Sequence, residues 1–108
     1  MPAPPTKLLA PGVERQLHEY EGLGHLRVSA RGEMLTIESG PAADPVRHAR
    51  LRRHTVNLWG LEMAARGGRW EPTPFRDTKE RLVAALVEQF GWVLTPQDDD
   101  IPREPGAN

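Results

Sequence analysis

The stretch HLRVSARGEMLTIE, residues 25–38, decides the fold of this chain. Apolar and polar residues alternate on both sides of Arg31-Gly32, which is typical of two half-buried strands. A two-residue turn at Arg31-Gly32 would pair Val28 with Leu35 and place the apolar side chains on one face. The stretch therefore predicts a β-hairpin with one face against a core.

Residues 46–65 predict further strand, followed by a second hairpin. The apolar positions change face between Leu51 and Val56, which indicates a bend or a break. A two-residue turn at Gly67-Gly68 would pair Ala65 with Trp70. Because the prolines after Trp70 cannot donate ladder hydrogen bonds, we expect a short edge strand over Trp70–Phe75. The predicted apolar face of this hairpin consists of Trp59, Leu61, Met63, Ala65 and Trp70.

A helix is predicted after Asp77, which is placed as its N-cap, with Glu80 three residues on. Gly91 suits a left-handed C-terminal cap. Residues 13–21 fit either a short helix or a strand. The apolar stripe of the C-terminal helix consists of Leu82, Val83, Leu86, Val87 and Phe90.

These elements predict an α+β fold, in which an antiparallel sheet of two hairpins, with four or five strands, packs on one long C-terminal helix. The resulting two-layer sandwich is assigned to residues 13–95. The proline-containing segment 1–12 is predicted to be a disordered arm, and the acidic segment 96–108 a disordered tail.

The amino-acid composition of the chain excludes several classes of function. The chain has 108 residues, 14 basic and 15 acidic groups, a formal charge of −1, and no cysteine. Disulfides, thiolate metal sites and cysteine nucleophiles are thereby excluded. The N-terminus does not resemble a secretory signal, and no apolar run approaches the ~20 residues that span a bilayer. We expect a soluble cytoplasmic protein with no membrane partner.

Positive charge is concentrated in the middle of the chain. Residues 47–81 carry nine basic and four acidic groups. Strict alternation along a strand would place His48, Arg50, Arg52 and His54 on one face, about 7 Å apart. A ladder of guanidinium groups at that spacing suits a phosphate backbone, and Trp59 or Trp70 nearby suits base stacking. A solvated sheet face, or an edge strand charged against edge-to-edge pairing, is the commoner explanation of such a pattern. The candidate nucleic-acid-binding residues are Arg47, Arg50, Arg52, Arg53, Arg66, Arg69 and Trp70.

The sequence contains no recognisable catalytic or cofactor motif. His48 and His54 are six residues apart, about 20 Å along a strand, which is too far for one metal ion. We therefore predict no cofactor and no metal. Glu62 and Glu71 would approach each other across the second hairpin and could act as an acid–base pair.

Three hypotheses follow. The first is a non-enzymatic interaction module that uses an uncovered sheet face to bind a second copy of itself, as a homodimer, or another protein. Its partner-binding residues would be Trp59, Leu61 and Met63. The second is a nucleic-acid-binding domain that uses the arginine-rich strand and hairpin tip, with the acidic tail as a phosphate mimic. The third is a small enzyme that uses Glu62 and Glu71.

Overall fold

A computed structural model of the chain describes residues 4–94, apart from the side chains of Trp92 and Val93. Five antiparallel strands form one sheet in the order β1-β2-β3-β4-β5. The α+β class and the antiparallel sheet are confirmed. The strands are β1 Arg27–Arg31, β2 Met34–Ser39, β3 Val46–Arg53, β4 Trp59–Ala64 and β5 Trp70–Asp77. The helices are α1 Thr6–His18 and α2 Lys79–Phe90, with 3-10 turns at Arg66–Gly68 and Gly91–Leu94.

Two helices, rather than the one predicted, cover the sheet. Helix α1 packs on β1 and β2, helix α2 packs on β4 and β5, and the helices touch each other. Helix α1 begins at Thr6, inside the predicted arm 1–12, which is therefore wrong for residues 6–12. The prolines favoured an arm, but burial of one helical face outweighs the hydrogen bond lost at Pro11. That face consists of Thr6, Ala10, Val13 and Leu17. The predicted tail 96–108 lies outside the described residues.

Helix α2 differs from its prediction at both ends. Its N-cap is Thr78, whose hydroxyl accepts a hydrogen bond from the Arg81 N–H at 3.3 Å. Asp77 lies one residue earlier and accepts from the Thr78 N–H at 2.7 Å. Gly91 is right-handed, with φ −56°, and the chain continues into the second 3-10 turn, so the left-handed cap is wrong. The predicted stripe is confirmed: Leu82, Val83 and Leu86 are buried, and Val87 and Phe90 are half-buried against the same core.

The first hairpin turns one residue later than predicted. Its turn is Gly32-Glu33, and Val28 lies opposite Ile37 instead of Leu35. This two-residue change of register leaves every side chain on its expected face. The next predicted strand, 46–65, is broken into β3 and β4 by a turn in which the His54 and Thr55 N–H groups donate to the Leu58 carbonyl.

The last hairpin has a longer turn than predicted. The 3-10 turn at Arg66–Gly68 pairs Ala64, rather than Ala65, with Trp70. Gly67 and Gly68 take positive φ of 71° and 75°, which glycine adopts at little cost. A one-residue change of register reverses the face of a strand, so Trp70 lies on the face opposite Leu61.

The core lies between the helices and one face of the sheet. Trp59 and Leu61, each 1% exposed, belong to it, so they cannot form the predicted partner surface. Met63 is half-buried and packs against the same core. The covered face of the three central strands is formed mainly by Leu35, Ile37, Ala49, Leu51, Trp59 and Leu61.

The two outer strands are closed by different means. At β1, Glu14 of helix α1 accepts the backbone N–H of Val28 at 2.9 Å. At β5, Pro72 and Pro74 have no N–H to offer, and the strand lies at the sheet edge as predicted, although it continues to Asp77 and is not short. Neither edge therefore presents a full row of hydrogen-bonding groups.

Candidate functional site

The sheet face opposite the helices carries polar and charged side chains, and we call it the open face. Cross-strand pairing aligns Ser29, Thr36, Arg50 and Glu62 in one row across it. Its charged groups among the described strands are six arginines and two glutamates, which gives it a positive balance although the whole chain is near neutral. They are Arg27, Arg31, Arg47, Arg50, Arg52, Arg76, Glu38 and Glu62.

A groove of about 510 Å³ runs over the open face. One wall is the β2–β3 loop, through Ala42, Ala43 and Pro45, and another is the hairpin tip at Gly68. Its volume is within the range of ~300–1,000 Å³ that is usual for ligand sites. The floor is formed by Ser29, Arg31, Thr36, Glu38, Arg47, Arg50 and Trp70.

A bulge in β3 shapes one end of this groove. The register shifts after Ile37: Ile37 lies opposite Ala49 and Glu38 lies opposite Arg47, so His48 is the extra residue of the bulge. His48 is 2% exposed, and its Nε2 lies 2.8 Å from the Ser39 hydroxyl. The arginine row therefore lacks the histidine that strict alternation predicted, and Arg47 faces the groove instead.

Arg50 and Arg52 share one carboxylate in the middle of the open face. Glu62 accepts from Arg50 Nε at 2.5 Å and from Arg52 Nε at 2.8 Å. Burial raises the pKa of Glu62, but these hydrogen bonds and the two positive charges outweigh it and hold the pKa below its usual value. The Arg50 guanidinium carbon also lies 4.5 Å from the centre of the Trp70 ring. These contacts hold Arg50 and Trp70 in fixed positions.

Arg31 and Arg47 differ from this pair. Both are exposed, both line the groove, and neither makes a side-chain hydrogen bond or ion pair within residues 4–94. Their charge is available to a ligand. Sequence reasoning missed Arg31 because the predicted turn included it, whereas Arg31 is the last residue of β1 and lies on the same face as Ser29.

Arg53, predicted for nucleic-acid binding, lies away from the groove. It follows Arg52 and points to the helix-covered side, where its guanidinium lies 5.5 Å from the Trp59 ring centre. It donates to Glu33 at 2.7 Å and to the Pro4 carbonyl at 2.6 Å. The hydrogen bond from Arg53 lowers the pKa of Glu33. Arg53 thus joins the start of helix α1 to the sheet.

The predicted acid–base pair does not form. Glu62 lies opposite Pro72, whereas Glu71 lies opposite Met63. Consecutive strand residues point to opposite faces, so the two carboxylates are on different sides of the sheet. The longer hairpin turn, which changes the register by one residue, separates them.

The remaining observations bear on partners and relatives. Within residues 4–94, no group of three or more His, Asp or Glu side chains is arranged to hold a metal ion. No helix in the same range is long and apolar enough to cross a membrane. Comparisons with protein-family models, with curated proteins and with solved structures found no match. The predicted homodimer stays a prediction.

Proposed function

We propose that this protein is a binding module for single-stranded nucleic acid, which it holds in the groove of the open face. One observation carries the proposal: Arg31 and Arg47, which have no anionic partner within residues 4–94, line the same groove as the Trp70 ring. Basic grooves that also offer an aromatic ring are the usual means by which proteins bind single strands.

The geometry favours a nucleic acid over an apolar protein surface. Of the three apolar residues that the sequence predicts to bind a partner, Trp59 and Leu61 are core residues and Met63 packs against the same core. The groove floor, in contrast, is largely polar. Guanidinium groups form bidentate hydrogen bonds with phosphate oxygens. The fixed Arg50 and Trp70 pair adds a stacking surface beside the two available charges.

The shape of the groove favours a single strand over a duplex. The floor lies between the β2–β3 loop and the tip of the last hairpin. A duplex presents a wide, stiff cylinder, whereas a single strand can lie between two walls and turn its bases toward an aromatic ring.

Fluorescence anisotropy with labelled oligonucleotides of unrelated sequence tests the proposal. The intact protein should bind single strands at 50 mM salt, more weakly as salt rises, and should bind duplexes less tightly. Replacing Arg31 and Arg47 together with Ala should reduce the slope of log affinity against log salt by about 1.4, since each phosphate contact to a single strand contributes about 0.7.

A matched double variant controls for total charge. Arg15→Ala with Arg81→Ala removes the same charge from exposed helix positions, and it should leave the salt slope unchanged. Equal losses in the two double variants would contradict the proposed groove. Absence of single-strand binding at 50 mM salt would overturn the proposed function, and tight binding of polyglutamate in its place would indicate an acidic protein partner.

A further inference from the structure

A second, smaller cavity adjoins the groove at the tip of the last hairpin. Its volume is about 170 Å³. Arg47, Gly68 and Trp70 line both this cavity and the groove, so the two spaces meet at these residues. The remaining lining residues are Ala64, Ala65 and Arg69.

Trp70 presents a fixed ring to this cavity. Arg50 lies against the ring at 4.5 Å and lines the groove, but it does not line the small cavity. The ring is thus held by a cation–π contact from the groove side while it also borders the hairpin tip. An aromatic ring fixed in advance loses little freedom when a ligand stacks on it.

Small residues create the space beside this ring. Ala64 and Ala65 have the shortest side chains, and Gly68 has none. A Cβ added at Gly68 would meet no atom within 4 Å, so the space there is empty of protein. Two cationic side chains border it, Arg47 and Arg69, and Arg69 makes no ion pair within the described residues.

We infer that the hairpin-tip cavity is a subsite for one unstacked nucleobase of the bound strand. The base lies against Trp70 between the small residues, and Arg47 and Arg69 contact the phosphates on its two sides. This inference rests on the proposed function, because it assigns one unit of the same ligand to a place beside the groove.

An oligonucleotide without bases tests whether a base is recognised. A homopolymer of abasic deoxyribose phosphate keeps every charge of a normal strand of equal length. Loss of one stacked base should weaken binding about 5- to 150-fold. Equal affinity for the two polymers would overturn the subsite but leave phosphate binding in the groove intact. Failure of both polymers to bind would overturn the proposed function itself.

Two glycine variants locate the base. Gly68→Asn adds a side chain at a residue that lines both spaces, and Asn tolerates positive φ better than most residues. Gly67→Asn is the matched control, because Gly67 also has positive φ, also has nothing within 4 Å of an added Cβ, and lines neither space.

We expect Gly68→Asn to reduce affinity for the normal strand at least fivefold and to leave affinity for the abasic polymer nearly unchanged. Gly67→Asn should leave both affinities unchanged, and the melting temperatures of the two variants should agree. Equal effects of the two variants on the normal strand, or an equal loss for both polymers with Gly68→Asn, would overturn the hairpin-tip subsite while the groove proposal stands.

Discussion

Neighbouring residues of one strand have different roles on the two faces of the sheet, burial on one and charge on the other. On β3, Leu51 is fully buried beneath the helices, while Arg50 and Arg52 on either side of it meet Glu62 on the open face. The covered face stabilises the folded protein because it removes apolar surface from water. The open face holds Arg50 and Arg52 with a shared ion pair, while the groove arginines Arg31 and Arg47 make no ion pair within residues 4–94. Substitutions on the two faces should therefore have separable effects on stability and binding.

The largest expected effect is on the covered face. Leu86→Ala should lower the free energy of unfolding by ~2–5 kcal/mol, because Leu86 is fully buried and the smaller side chain leaves a cavity. Leu8→Ala makes the same change in helix α1 at a residue that is 64% exposed, and it should cost less than about 0.5 kcal/mol. Denaturant titration measures both, and similar losses would contradict the assignment of the covered face.

A smaller effect on stability is expected from Glu62→Gln on the open face. The folded protein lowers the pKa of Glu62, so its carboxylate stabilises the fold above the unfolded pKa of about 4.3 and ceases to do so as the pH falls through the lower folded value. The variant should be less stable than the natural protein at pH 7, and the difference should shrink toward pH 3. Thermal unfolding across this range measures it, and a constant difference would contradict the role of the charge.

The same Glu62→Gln variant should bind single strands more tightly. It removes a negative charge from the groove side of the sheet and releases Arg50 and Arg52 from their shared partner. Glu71→Gln makes the identical change on the opposite face and should not alter affinity. If both variants gain equally, the gain comes from net charge alone, and the assignment of faces to function fails.

The smallest effect on stability is expected from removal of residues 97–108. This segment contains Asp98, Asp99 and Asp100 and lies outside the described residues. We expect an unchanged melting temperature, with higher affinity for single strands because an intramolecular competitor for the arginines is lost. A scan of thermal unfolding and an anisotropy titration measure the two quantities. Lower affinity would contradict the phosphate-mimic hypothesis.

An error in a predicted turn has different consequences according to whether it shifts the strand register by an even or an odd number of residues. At the first hairpin the observed register differs from the predicted one by two residues, so Val28 lies on its predicted face. At the last hairpin the observed register differs from the predicted one by one residue. Trp70, predicted on the core side, therefore lies on the open face. Gly67-Gly68 suits a two-residue turn or a longer one, since both need positive φ. Local sequence therefore determined that a hairpin exists but did not determine its register.

The candidate site was predicted in part. Arg47, Arg50 and Trp70 were named from the sequence and line the groove, although Trp70 had been placed on the apolar face. Arg53, also named from the sequence, does not line the groove, because its strand position places it beside Trp59 and Glu33. Both the groove wall at residues 42–45 and the bulge at His48 depend on the tertiary path of the chain, which a strand-by-strand pattern does not contain.

The blocked edges of the sheet bear on whether one copy of the protein can add a strand to another. Fibrils grow when one chain adds a strand to the exposed edge of another, and a flat uncovered sheet invites such growth. Here the strand of a second chain would have to displace the Glu14 carboxylate from the Val28 N–H at one edge, or pair with the prolines of β5 at the other. Both edges therefore oppose the addition of a sixth strand, although one face of the sheet is uncovered by helices.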